Sequence, residues 1–212
     1  MQARGMDTID AKEHWEQHYT ERDRVWSGRV NARLAEVVSP LPAGHALDLG
    51  CGEGADACWL AEHGWTVVAV DISDTALQRA TAAAEAHGLS DQIEFIQRDL
   101  SDSFPDGTFD LISAQFLHSK IPFDRPRVLK RAATAIRSGG VLLIVDHAGP
   151  PPWPSKLDHK HVEFPSAEEV IAALELGDDW ERVRVEGVER QATGPDGETH
   201  PWIDNVIVLR RR

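Results

Sequence analysis

Residues 46–54, Ala46–Leu47–Asp48–Leu49–Gly50–Cys51–Gly52–Glu53–Gly54 (ALDLGCGEG), decide how the chain is to be folded. A short apolar run, Ala46 to Leu49, reads as a buried strand, and the alternating glycines after it allow a tight turn into a helix from Ala55 to His63 that Gly64 stops. Glycine turns between a strand and a helix bring backbone N–H groups close to a ligand, and Gly50–Cys51–Gly52 followed by Ala55 satisfies a relaxed GxGxxA dinucleotide fingerprint. The acids beside the turn argue against that ligand. Asp48 and Glu53 would repel a pyrophosphate, whereas they suit a ligand whose nearest portion is cationic. S-adenosylmethionine, with an ammonium, a sulfonium and no phosphate, meets that condition.

Working outward, strands and helices alternate. Thr66 to Val70 is a β-branched strand ending at Asp71, and Ser73 can cap an alanine-rich helix from Asp74 to His87 that Gly88 ends. Ile93 to Ile96 and Phe109 to Ala114 are further strands. Arg127 to Arg137 reads as a helix with Gly139–Gly140 beyond its end, and Val141 to Val145 as a fifth strand. Such alternation implies parallel βαβ units with helices on both faces. After the stiff loop Pro150 to Pro154, a helix begins at Ser166. Two strand-like runs, Trp180 to Glu189 and Trp202 to Leu209, flank the turn Gly194–Pro195–Asp196–Gly197, so an antiparallel hairpin closes the sheet.

Upstream, Asp10 to Arg22 carries Trp15 and Tyr19 on one helical face, and Asn31 to Val38 is a second short helix. In such a sheet ligands sit beyond the carboxyl ends of the strands, where Asp71 has the position of a carboxylate that binds ribose hydroxyls. Asp99 can accept from an adenine amine, with Ile72 and Leu100 sandwiching the ring.

The 212 residues carry a formal charge of −13, which disfavours nucleic acid as a partner. The terminal Arg210–Arg211–Arg212 is read as a solvated tail. No apolar run has the length of a membrane span, and no signal-peptide pattern is expected at the start. The two cysteines, Cys51 and Cys58, form neither a CxxC pair nor a disulfide framework, so a cytoplasmic, reducing setting is expected.

Taken together, the chain resembles the class I S-adenosylmethionine-dependent methyltransferases. The resemblance runs from about Asn31 to the carboxyl terminus and rests on ALDLGCGEG, VVAVDIS, IQRDL, FDLISAQFLH and RSGGVLLIVDH, in that order. It implies one methyltransferase domain with a Rossmann-like, doubly wound, seven-stranded sheet, mostly parallel with an antiparallel strand in the carboxyl-terminal hairpin. Residues 1–40 would form a helical cap, 41–148 the cofactor-binding core, and 149–212 the substrate-side loop, helix and hairpin. It further implies that Gly50 and Gly52 admit the methionine part of S-adenosyl-L-methionine, that Asp48 and the carbonyls of the turn face its ammonium, and that Cys51 and Glu53 of the turn belong to the cofactor-binding residues. Asp71 would hold the ribose, Asp99 the adenine, and Gln115 would lie beside the transferred methyl.

The amino-terminal HWEQHYTERDRVWSGRVNARL is similar to the cap of small-molecule methyltransferases of the tellurite-resistance and thiopurine kind. That similarity makes Trp26, Ser27 and Gly28 a lid with Asn31 at its base; a core anchor is the other account of Trp26. Strand four lacks the Asn/Asp-Pro-Pro-aromatic tetrad that holds planar amino groups, so a small acceptor methylated on sulfur, oxygen or a soft oxyanion is expected over nitrogen. His118 and His147 are the candidate general bases, because histidine titrates near neutrality; a structural role is the alternative for each. His159–Lys160–His161 lacks a third ligand for a metal, and no metal is expected. The competing functions are an NAD-type oxidoreductase and a catalytically inactive S-adenosylmethionine-binding module.

Overall fold

A computed structural model describes residues 10–153, 164–195 and 197–212. Two helices, α1 (Ala11–Thr20) and α2 (Ala32–Val38), precede the alternating region β1 (His45–Leu49), α3 (Ala55–Glu62), β2 (Thr66–Asp71), α4 (Asp74–Ala86), β3 (Ile93–Gln97), β4 (Phe109–Gln115), α5 (Arg125–Ala135) and β5 (Ile136–His147). The chain then forms α6 (Ala167–Leu174), β6 (Trp180–Thr193) and β7 (Thr199–Arg211). The seven strands lie in the order β3-β2-β1-β4-β5-β7-β6. The first five are parallel to their neighbours, whereas β7 runs antiparallel to both β5 and β6. The expected mixed sheet with an antiparallel closing strand is therefore present.

Local sequence sets each helix start. Asp10, Asn31, Ser73 and Asp124 cap α1, α2, α4 and α5 through their side chains. Ser166 and Glu169 form a reciprocal capping box on α6. The central strands are apolar on both faces because helices cover both. On one face α5 and α6 bury Leu129, Ala132 and Val170 against Leu47, Ile112 and Ile144. On the other, α2 and α3 bury Leu34 and Leu60 against Ala46, Leu111 and Leu143.

Three expectations need correction. Helix α5 begins and ends earlier than expected: Pro126 sits in the first turn, where its missing N–H costs no helical bond. Ile136 is already extended and pairs with Phe109 of β4. Gly139–Gly140 consequently does not end a helix but lies inside β5, at the irregularity where the register jumps from Phe109↔Ile136 to Leu111↔Val141. The hairpin strands are longer than their apolar patterns, since residues near their tips pair outside the core, Thr193 with Thr199. The terminal arginines are not a free tail. Arg210 and Arg211 belong to β7, and Arg211 donates to Asp179 at 3.1 Å and to the carbonyl of Ile136 at 2.8 Å.

The strand order reverses between β1 and β4, so their carboxyl ends diverge and leave a crevice. Gly54 closes one wall of it. Its φ is +81°, and a Cβ there would lie 2.7 Å from Cβ of Ala80 on α4. Left-handed backbone costs a residue with a Cβ about 1–2 kcal/mol, and overpacking adds about 1–3 kcal/mol. Gly54→Ala is expected to lose at least about 2 kcal/mol in urea denaturation; a loss below about 0.5 kcal/mol would show that α4 yields freely.

Candidate active site at the carboxyl edge of the sheet

The glycine turn is pinned from two sides. Gly50 N and Cys51 N donate to the carbonyl of Val70 at 2.8 and 2.9 Å, which bends the chain out of β1 towards α3. Asp71 Oδ2 accepts from Gly52 N at 2.9 Å, while Oδ1 accepts from Ser73 N at 3.0 Å. One carboxylate thus joins the turns after β1 and β2, and each of its oxygens keeps a further lone pair. Burial pushes the Asp71 carboxyl up, against the lowering effect of these backbone donors.

Asp48 is the unusual group. It is only 2% exposed, and its Oδ2 is buried with no hydrogen-bond partner among the described residues. Burial, reinforced by the carboxylates of Asp56 and Asp71, drives its carboxyl far above the ordinary aspartate range. Asp56 accepts from Asn31 N at 2.6 Å, and burial raises it to about 6. A buried carboxylate surrounded by carboxylates is costly unless a cation answers it. The ammonium of S-adenosyl-L-methionine is such a cation, and Gly52 beside it has no side chain to obstruct approach. The donor set therefore fits the cofactor.

The amino-terminal segment covers this crevice. A Cβ at Gly52 would lie 3.0 Å from the Tyr19 hydroxyl and 3.1 Å from Trp26 Nε1, and the Trp26 indole donates to Tyr19 at 3.0 Å. Glu53 accepts from the backbone of Val25 and Trp26 and pairs with Arg79 of α4 at 2.8 Å. Arg79 also donates to the carbonyls of Tyr19 and Arg22. Burial acts to raise the Glu53 carboxyl, but the Trp26 N–H and Arg79 outweigh it and hold the group below the usual range. Glu53, expected among the cofactor-binding residues, thus has its hydrogen bonds with the cap and with Arg79 of α4. Glu16 of α1 completes the attachment, accepting from Ser73 Oγ at 2.7 Å and from Thr75 N at 3.2 Å.

Among the residues expected to face adenine, Asp99 Oδ1 accepts from Ser101 N at 2.8 Å, so part of this carboxylate serves its own turn. Ile72 is half-buried, whereas Leu100 is largely taken up by the core. Cys51 is no nucleophile: burial, with Asp71 and Asp48 nearby, pushes its thiol well up.

Beyond the crevice, β4 and β5 end in two histidine–aspartate–arginine sets. His118 Nε2 lies 3.7 Å from Asp146 Oδ1, too far for a hydrogen bond, and Asp146 is instead ion-paired with Arg125 of α5. His147 Nδ1 is 2.9 Å from Asp204 Oδ1 on β7, and Asp204 Oδ2 accepts from Arg190 of β6. The two imidazoles are parallel within 9° at 5.9 Å. His147 stacks on Trp202 at 3.9 Å, with Phe116 at 4.4 Å. Phe116 has φ +51°, a strained conformation for a residue with a Cβ. Gln115 donates to Ser113 Oγ at 2.9 Å and leaves its own Oε1 buried without a partner.

Sequence reasoning did not single out Arg125, Arg190, Asp204 or Trp202 for this site. The only available signal was Asp204, a lone acid beside the apolar run Val206 to Leu209. His159, Lys160 and His161 lie outside the described residues. No cluster of possible metal ligands occurs among the described residues.

The profile of a family described as "Methyltransferase domain" matches residues 47–144. Thiocyanate methyltransferase 1 of Arabidopsis thaliana is 30% identical over 169 residues, covering 76% of this chain and 71% of that protein. Sarcosine/dimethylglycine N-methyltransferase of Halorhodospira halochloris is 36% identical over 125 residues, 57% of this chain, and the match spans only 44% of that relative's length. Among solved structures, N-methyltransferase NodS from Bradyrhizobium japonicum WM9, in complex with S-adenosyl-L-homocysteine, superimposes with a TM-score of 0.69 at 18% identity, covering 95% of this chain and 99% of that one. The chain belongs to the class I S-adenosylmethionine-dependent methyltransferases, and its cofactor is S-adenosyl-L-methionine.

Two outcomes are expected. Asp48→Asn replaces a carboxyl whose charged form burial and the carboxylates of Asp56 and Asp71 already disfavour, so the cofactor-free protein should keep its melting temperature within about 4 °C while losing cofactor affinity. Equal affinity of wild type and variant would remove Asp48 from the site. His118 is pushed down to about 4 by burial first, then by Arg125 and His147. Its depressed value means that the stability it contributes is complete above the ordinary histidine range and is lost as pH falls towards 4. NMR titration should find its imidazole neutral at pH 6; a midpoint near the ordinary value would show the ring to be solvated.

Proposed function

We propose that the protein transfers the methyl group of S-adenosyl-L-methionine to a small-molecule acceptor by direct displacement beneath its amino-terminal cap. The observation that carries this is Asp48 Oδ2, buried without a partner beside a glycine turn that the cap covers. Bound there, the cofactor supplies an activated methyl group. Asp48 would meet its ammonium, Asp71 its ribose hydroxyls, and Ile72, Asp99 and Leu100 its adenine. Gly50 and Gly52 would keep the backbone close, while buried Tyr19, held by the indole N–H of exposed Trp26, would exclude water above the turn. In-line displacement asks the protein mainly to align donor and acceptor, which Gln115 and the rings after β4 and β5 would do.

A sulfur or oxygen acceptor is favoured over nitrogen, because strand four ends in Gln115–Phe116–Leu117–His118 and not in the tetrad that grips planar amines. The relatives methylate acceptors of different kinds by their names, so the choice rests on this chain's own residues.

Calorimetry should detect S-adenosyl-L-homocysteine binding to the full chain and no binding of NAD. Asp71→Ala should weaken that binding at least tenfold, about 1.4 kcal/mol. Binding of NAD alone would overturn the proposal, and cofactor binding without turnover on any small acceptor would leave an interaction module in its place.

A further inference from the structure

Asp48 is fixed in the middle of the sheet, opposite Ala69 of β2 and Ser113 of β4, so pairing on both sides prevents its backbone from swinging the carboxyl out to water. The titratable groups that face it among the described residues are acids and thiols. Asp56 comes from α3 and Asp71 from the end of β2, while Cys51 of the turn and Cys58 of α3 feel the Asp48 charge. The three carboxyls are not equally provided for. Asp71 accepts from Gly52 N and Ser73 N, and Asp56 accepts from Asn31 N at 2.6 Å. Asp48 Oδ2 is buried with no partner among the described residues. Of the three, Asp48 is therefore the carboxyl whose negative charge is least supported.

From this geometry, and resting on the methyltransferase proposal above, we propose that Asp48 holds a proton in the cofactor-free protein and gives it up to solvent when S-adenosyl-L-methionine binds, so that the carboxylate facing the ammonium exists only while the site is filled. A buried neutral acid costs far less than a buried charge without a partner, so the proton spares the empty site that cost. Asp56, which burial raises to about 6, is mostly ionised at pH 7, and its charge adds to the burial that keeps the proton on Asp48.

Charge balances across the event. The free site holds a carboxylic acid and the free cofactor an ammonium. The complex holds a carboxylate paired with that ammonium, and one proton has passed to the buffer. The demethylated product keeps the ammonium, so Asp48 stays ionised until the product leaves and takes up a proton as the site empties. The sign follows: because binding expels a proton, affinity rises with pH, by about tenfold per pH unit for one proton. That slope holds wherever Asp48 is protonated in the free protein and ionised in the complex.

Carbon-13 NMR of the full chain, labelled at its aspartate carboxyls, reads the proton without turnover. In the cofactor-free wild type at pH 7, the Asp48 carbon, identified by its loss in Asp48→Asn, should show the shift of a carboxylic acid. Saturating S-adenosyl-L-homocysteine should move it to the position of a carboxylate. In Asp56→Asn, whose amide oxygen can still accept from Asn31 N, Asp48 of the cofactor-free protein should titrate at lower pH than in the wild type. Calorimetry of S-adenosyl-L-homocysteine binding in two buffers of different ionisation enthalpy should find about one proton released at pH 7, with Kd falling about tenfold from pH 6.5 to 7.5. An Asp48 carbon already at the carboxylate position in the cofactor-free wild type overturns the proposal, and so does binding without proton release. Failure of S-adenosyl-L-homocysteine to bind in either buffer, with the acid signal of Asp48 present, overturns the underlying methyltransferase reading instead.

Discussion

The carboxylate of Asp71 stands at the junction on which the site depends. By accepting from Gly52 on one oxygen and Ser73 on the other, it ties the turn after β1 to the turn after β2. Ser73 in turn caps α4 and donates to Glu16 of the cap. Helix α4 then presents Arg79 to Glu53, and Ala80 to Gly54. Crevice, neighbouring helix and cap are therefore mutually constrained, and an error at Asp71 would propagate to all of them.

Charge is distributed across this edge for two purposes. In the crevice Asp48 and Asp71 are buried with half-buried Asp56 beside them, an arrangement that is unfavourable for charged carboxylates until a cation arrives. Around it, Glu16 and Glu53 are answered by donors of the fold itself and fasten the cap. On the far side Arg125 closes on Asp146 and Arg190 on Asp204, so these four charges answer one another within the fold. Asp48 Oδ2, a buried carboxylate oxygen without a partner among the described residues, stands in the crevice proposed for the cofactor's ammonium.

Much of this was legible in residue order. ALDLGCGEG and VVAVDIS identified the first two strands, their turns and two acids, because strand-turn-helix patterns are local and their spacing is short. Asp71 came to the mouth of the crevice for the same reason. The hydrogen bonds of Glu53 were not legible: its partners, Val25, Trp26 and Arg79, lie 26 to 28 residues away. The helix expected up to Arg137 failed locally, since pairing of Ile136 with Phe109 overrides helix propensity once the strands meet.

The sequence by itself determined the fold class, the glycine turn and the acids around it, because these follow from period, turn chemistry and short spacing, and its ordered motifs carried the resemblance to the family. Only the tertiary structure decided which histidine is hydrogen-bonded to a carboxylate. His147 and Asp204 are 57 residues apart and meet because β5 and β7 pair antiparallel with those two residues opposite each other. Strand register is set by the burial of whole faces, as of Val145 against Val206, and no local pattern at either residue encodes it.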